Sequence, residues 1–152
     1  MRKALVLMIG ATLAASSAAA SPDTDALKAT GLAGKWAVDC SKPASATNIH
    51  SAWTETADGH VVLTTDTDKK DDNPSTLLEL KQMPDNRVLY TVKSDSDEID
   101  VILKLEKSRY RLWSSSLGGL AAGYAGADDV YVKEGKILAN GEQTPWYEKC
   151  EK

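Results

Sequence analysis

An alternation of apolar and polar residues with a period of two runs through the middle of this chain, and it restricts the fold more than any other feature. Ile99, Val101, Leu103 and Leu105 alternate with Asp100, Ile102, Lys104 and Glu106. Successive side chains of a β-strand point to opposite faces, so this segment has one apolar face and one mostly charged face. Val88, Tyr90 and Val92 alternate in the same way with Arg87, Leu89, Thr91 and Lys93, and Trp36, Val38 and Cys40 alternate with Lys35, Ala37 and Asp39. Strands of this kind, half-buried, belong to antiparallel sheets.

Turn residues punctuate the runs. Asp58-Gly59, Pro84-Asp85-Asn86, Asp95-Ser96-Asp97, Lys107-Ser108 and Glu134-Gly135 each separate two alternating segments, where glycine, proline and short polar side chains favour tight reversals. The pattern predicts strands at about 34–40, 49–56, 60–66, 76–83, 87–94, 98–106, 109–115 and 129–134, and a last extended piece at about 144–150. Consecutive strands joined by hairpins form an up-and-down meander. Eight or nine of them close most naturally into an all-β antiparallel barrel, because closure removes the unpaired edges. Residues 21–33 read as a leader with short helical character, opened by Pro22-Asp23-Thr24-Asp25 and ended by Gly31.

In a meander, successive connections lie at alternate ends. The connections at 57–59, 84–86 and 107–108 are tight, whereas those at 41–48, 67–75 and 116–128 are long. One end is therefore closed by hairpins and the other carries the long loops, where binding groups are most often placed. The two-residue turn at Asp58-Gly59 would pair residue 57 with 60 and residue 50 with 67.

The first twenty residues have a different character. Arg2 and Lys3 precede an apolar run over residues 4–13 and a stretch of small residues ending Ala18-Ala19-Ala20 before Ser21-Pro22. This is the layout of a cleaved bacterial signal peptide, and the apolar run is far below the ~20 residues that span a bilayer. The expected mature chain is one domain from Ser21 to Lys152, periplasmic or secreted, with no membrane span. Removing Arg2 and Lys3 from the 18 basic residues leaves 16 against 22 acidic ones, a net charge of −6. Nucleic acid is therefore not an expected partner, since it needs clustered Lys and Arg. In an oxidising compartment two cysteines, Cys40 and Cys150, imply one disulfide. The meander would run the first strand and the last extended piece in the same direction and bring both sulfurs to the loop-rich end.

Gly34-Lys35-Trp36 opens the first strand just after the leader. In this, and in its order of short and long connections, the chain resembles the lipocalin-like (calycin) barrels, whose first strand begins Gly-x-Trp. The resemblance implies that Trp36 plugs the closed end of the barrel and that a basic residue late in the chain covers it, with Arg109, Arg111 and Lys149 as candidates. The chain departs from that family in carrying Thr65-Asp66-Thr67 in place of a Thr-Asp-Tyr motif. Bacterial inhibitors of secreted metalloproteases are also small exported barrels with an early Gly-x-Trp, with their disulfide placed differently.

Residues that carry chemistry are sparse. His50 and His60 fall near opposite ends of one hairpin and lack a cysteine partner for zinc. The acidic runs 66–73 and 95–98 match no calcium-loop spacing. Serines 114–116 lie in no nucleophile elbow and have no histidine nearby. No catalytic residue, metal or cofactor is expected. Residues 117–127 stand out, with eleven uncharged residues, four of them glycine, in a chain that is 26% charged. Leu117, Leu120 and Tyr124 would give this loop apolar contacts at the barrel mouth, and Trp53 and Tyr90 would line the interior below. The expectation is a monomeric, non-catalytic binding protein for a small apolar or amphipathic ligand. The alternative is a periplasmic inhibitor or accessory protein that contacts another protein through the loop-rich end.

Overall fold

The computed structural model describes residues 22–68, 74–94, 97–117 and 130–150. They form helix α1 (Pro22–Thr30) and strands β1 (Gly34–Ala37), β2 (His50–Glu55), β3 (Val61–Asp66), β4 (Ser75–Met83), β5 (Arg87–Ser94), β6 (Asp97–Glu106), β7 (Arg109–Leu117), β8 (Val130–Lys133), β9 (Lys136–Ile137) and β10 (Tyr147–Lys149). Strands β1 to β9 pair antiparallel with their sequence neighbours, and β10 pairs with both β1 and β7. The eight strands β1–β7 and β10 thus close an up-and-down barrel, and β8–β9 is an extra hairpin on its wall.

The period-two segments lie as the alternation requires. Arg87 to Ser94 pair without a break against Lys104 to Asp97, which puts Val88, Val101 and Leu103 in the core with Trp36, Trp53, Val61 and Leu80. The opposite face is less solvated than its charges imply. Thr91 Oγ1 donates to Asp100 Oδ1 at 2.6 Å across the β5–β6 ladder, and both residues are buried.

Two expectations need correction. The β2–β3 register is one residue off the two-residue turn, with His50 opposite Asp66 and Glu55 opposite Val61. The reversal is longer than two residues. Gly59 N donates to Thr56 O and Thr56 N to His60 O, and Gly59 has φ +85°, so it absorbs one extra residue in the turn. The second correction concerns the end of the chain. The last strand does not run parallel to β1, and the sulfurs do not meet at the loop-rich end. The short β8–β9 hairpin adds a reversal, so β10 runs antiparallel to β1, with Lys149 opposite Trp36 and Cys150 N bonded to Lys35 O at 2.9 Å. The Cys40–Cys150 disulfide forms all the same, with Cα atoms 5.5 Å apart, because the chain leaves β1 at Val38 and Cys40 turns back onto β10.

At the closed end the sequence Gly34-Lys35-Trp36 has a steric reason. Gly34 has φ +115°, and a Cβ there would lie 3.3 Å from Lys149 Cε. The absence of a side chain lets Lys149 pass over the barrel end. Its Nζ sits 5.4 Å from the centre of the Trp36 ring and donates to Gly31 O at 3.1 Å. Trp36 Nε1 donates to Leu32 O at 2.7 Å, and Leu32 and Leu27 of the leader are buried beneath. Of the three basic residues considered for covering Trp36, Lys149 is the one over it. Helix α1 packs against β3 and β4. There Asp23 Oδ1 accepts from Leu80 N at 3.1 Å, filling a position that pairing with β3 leaves open, since β3 and β4 share only two residue pairs.

Candidate functional site

The barrel interior is filled at the closed end and hollow toward the other. Five aromatic rings form a continuous column. Trp36 and Tyr110 lie 5.0 Å apart, Trp53 meets Tyr90 edge-on at 5.1 Å, and Tyr110 stacks on Tyr147 at 5.0 Å. Four of these rings, Trp53, Tyr90, Tyr110 and Tyr147, wall an inner chamber of about 150 Å³ together with Ser51, Thr65, Ile49, Leu63, Leu103 and Leu112. Trp53 and Tyr90, the two interior residues expected to touch a ligand, are therefore neighbours in one wall.

This chamber shares Ile49, Leu112 and Tyr147 with a larger, mainly apolar vestibule of about 730 Å³. The vestibule exists because of how the wall is built. One edge of β7 serves two strands: β10 pairs with its lower part at Arg109 and Tyr110, and β8 with its upper part at Ser115 and Ser116. The upper wall between β7 and β1 is thus left to β8, β9 and the 142–145 segment. Val38, Ile49, Tyr131, Val132 and Ile137 line the gap. Thr144 fastens that segment to β7 by donating from Oγ1 to Leu112 O at 2.6 Å.

The rim beside the vestibule is braced by Asn48. Its Nδ2 reaches the carbonyls of Asp39, Lys42 and Pro43 at 3.1, 3.2 and 2.9 Å, and its Oδ1 accepts from Asp39 N at 2.8 Å. Lys42 and Ser41 hold the Asp39 carboxyl down at about 2. The 41–48 connection, expected to help shape a site, thus supplies Ala46 and Thr47 to the vestibule wall.

Of the other expected site residues, Leu117 ends β7 opposite Ile99, a residue of the vestibule wall. Leu120 and Tyr124, and most of the 116–128 and 67–75 connections, lie outside the described residues. Ile49, Ser51, Tyr110, Leu112 and Tyr147 escaped the sequence reading. Their inward parity on the strands was the available signal. Tyr147 could not be placed that way, because it belongs to a three-residue strand with no alternation to read.

Among the described residues, the chamber walls contain no charged side chain. Tyr110 Oη and Ser51 Oγ pair at 2.7 Å. Burial pushes all three phenols up, assisted at Tyr90 and Tyr147 by the neighbouring phenol of Tyr110. Tyr147 reaches about 12, from an ordinary 10.0. The unfolded chain releases these protons near the ordinary value and the folded one does not. The associated stability is therefore complete below about pH 10 and falls as the pH rises through 12. Absorbance titration at 295 nm is expected to find Tyr90 and Tyr147 still protonated at about pH 11 in the folded protein, with cooperative release on unfolding. Non-cooperative titration of every tyrosine near pH 10 would contradict this packing.

Arg109 and Arg111, the other basic residues considered for Trp36, stand outside the barrel. Arg111 lies 5.3 Å from the Trp113 ring centre and 4.8 Å from that of Trp146, and Arg109 lies 4.3 Å from Trp146. Among the described residues, no three His, Cys, Asp or Glu side chains gather to hold a metal ion. Comparison of the chain with protein-family models, with curated proteins and with solved structures finds no match.

Proposed function

We propose that this protein is an exported, lipocalin-like binding protein that holds a small apolar or amphipathic molecule in its barrel and performs no chemistry on it. The observation that carries this reading is the pair of cavities that share Ile49, Leu112 and Tyr147 in their walls. A vestibule of about 730 Å³ falls in the size range of small-molecule sites, roughly 300–1,000 Å³, and its apolar walls suit an apolar ligand. The inner chamber of about 150 Å³ adds room for one ring or a short chain, since a cavity of that order accommodates benzene. The lipocalin-like resemblance gains support from Lys149, which covers Trp36 as a late basic residue does in that family. Export with cleavage after Ala20, and a periplasmic or secreted monomer, agree with the disulfide and with the lack of a helix long and apolar enough to cross a membrane among the described residues.

A neutral apolar fluorophore, N-phenyl-1-naphthylamine, is expected to bind with a dissociation constant on the order of micromolar. Filling the shared wall with Leu112→Trp should weaken it roughly tenfold, equal to about 1.4 kcal/mol, while the fold persists. Absence of binding, or binding indifferent to Leu112→Trp, would count against an interior site.

A second reading, a protein-binding inhibitor or accessory protein, is favoured by one observation. Tyr131 and Leu138, on and just after the β8–β9 hairpin beside the vestibule, are each about half exposed, at 49% and 52%. Aromatic and apolar side chains so presented suit a protein contact.

A further inference from the structure

Within the ligand-binding reading, on which this inference rests, we propose that the inner chamber takes the neutral, oxygen-bearing end of the ligand. The chemical class is an apolar molecule ending in a carbonyl, such as a ketone or an ester, and not a carboxylate or an amine. The vestibule holds the remaining apolar part.

The argument starts from Trp53. The residue is 1% exposed, and its Nε1 is a buried donor with no hydrogen-bond partner. It leans toward Tyr110 Oη, easing the upward push on that phenol, without reaching hydrogen-bond geometry. An indole N–H can only donate, so only an acceptor satisfies it. Ser51 engages Tyr110. The phenols of Tyr90 and Tyr147 line the same chamber, and among the described residues neither has a hydrogen-bond partner. Tyr147 stacks on Tyr110 with ring centres 5.0 Å apart, and Tyr90 meets Trp53 edge-on at 5.1 Å. Three residues with unused donors, Trp53, Tyr90 and Tyr147, thus wall one chamber. A carbonyl oxygen with two lone pairs can accept from two of them together.

Charge settles the class of head. Among the described residues the chamber has no cationic side chain to neutralise a carboxylate and no carboxylate to neutralise an amine, and an uncompensated charge in such surroundings is strongly disfavoured. Among the described residues, the only ionisable side chain in the vestibule wall apart from tyrosines is Glu142, whose charge repels an anion entering from outside.

The test compares three probes of one shape by tryptophan fluorescence and calorimetry at pH 7: 2-acetylnaphthalene, its alkene analogue 2-isopropenylnaphthalene, and 2-naphthoate. The ketone is expected to bind about tenfold more tightly than the alkene, as one or two added hydrogen bonds allow, and the naphthoate most weakly. Trp53→Phe and, separately, Tyr90→Phe should shrink the ketone's advantage over the alkene severalfold. The ¹⁵N–¹H signal of Trp53 Nε1 should shift on adding ketone and not alkene. Should Trp53→Phe fail to fold, Tyr90→Phe and the indole signal decide the matter. Equal binding of all three probes, or tightest binding of naphthoate, would overturn the head-group assignment and leave the ligand-binding reading standing. An ordered water as the only acceptor at Trp53 in a ketone-soaked crystal would do the same. Failure of all three together with N-phenyl-1-naphthylamine would instead remove the ligand-binding reading itself.

Discussion

Trp36→Ala is expected to cost about 3–5 kcal/mol of folding stability, the usual range for removing a buried tryptophan. That is a large part of the 5–15 kcal/mol typical of a domain, and it corresponds to a fall in Tm of more than about 10 °C. Three interactions end together in this change. The ring is 5% exposed and packs on Tyr110 at 5.0 Å. Its Nε1 satisfies Leu32 O, which holds the leader across the barrel end. Lys149 lies over its face, and loses that contact with it. Partial variants separate the contributions. Trp36→Phe keeps much of the packing and leaves Leu32 O without its donor, for about 1–3 kcal/mol. Lys149→Met removes an exposed cation–π contact worth about 0.5–1 kcal/mol. Denaturant unfolding measures all three. A cost below about 1 kcal/mol for Trp36→Ala would mean that Trp36 is not the keystone of the closed end.

Loss of the disulfide, by reduction or by the pair Cys40→Ser and Cys150→Ser, is expected to cost about 2–4 kcal/mol. The bond spans a sequence separation of 110, so its removal frees a very long loop in the unfolded chain. Its place in the fold adds a local consequence. The barrel closes through β10, three residues long, with two residue pairs to β7 and two to β1. Without the covalent tie, so short a strand frays readily. Hydrogen exchange should then show β10 and the β1 amides facing it opening well before β5 and β6, which share eight residue pairs. Uniform loss of protection across all strands would contradict this picture of closure.

The contrast between these strands also explains how much the amino-acid sequence discloses. Where a strand is long and half-buried, as in β5 and β6, alternation reports both its presence and its inward face, and the barrel follows from counting hairpins. Tyr90 was legible as an interior residue for that reason. Short elements carry too little pattern. Lys136–Ile137 is a strand of two residues, and missing its reversal turned the last strand the wrong way and misplaced the disulfide along the barrel. Turn residues alone did not fix the β2–β3 register either, because Asp58-Gly59 suits a two-residue loop as well as the longer one that forms. Lys149 could not be told from Arg109 and Arg111, since its role depends on which strand closes the ring. The vestibule was invisible for a related reason. It arises from two strands sharing one edge of β7, a tertiary event with no local sign.

Native mass spectrometry of the protein purified under mild conditions from the periplasm of its own host tests the central claim most directly. The account predicts a single chain beginning at Ser21 with one disulfide, carrying a non-covalent neutral molecule whose size suits the two cavities, and released by collisional activation. A chain of bare mass that recovers with a stoichiometric protein partner, its vestibule covered by that partner, would contradict it.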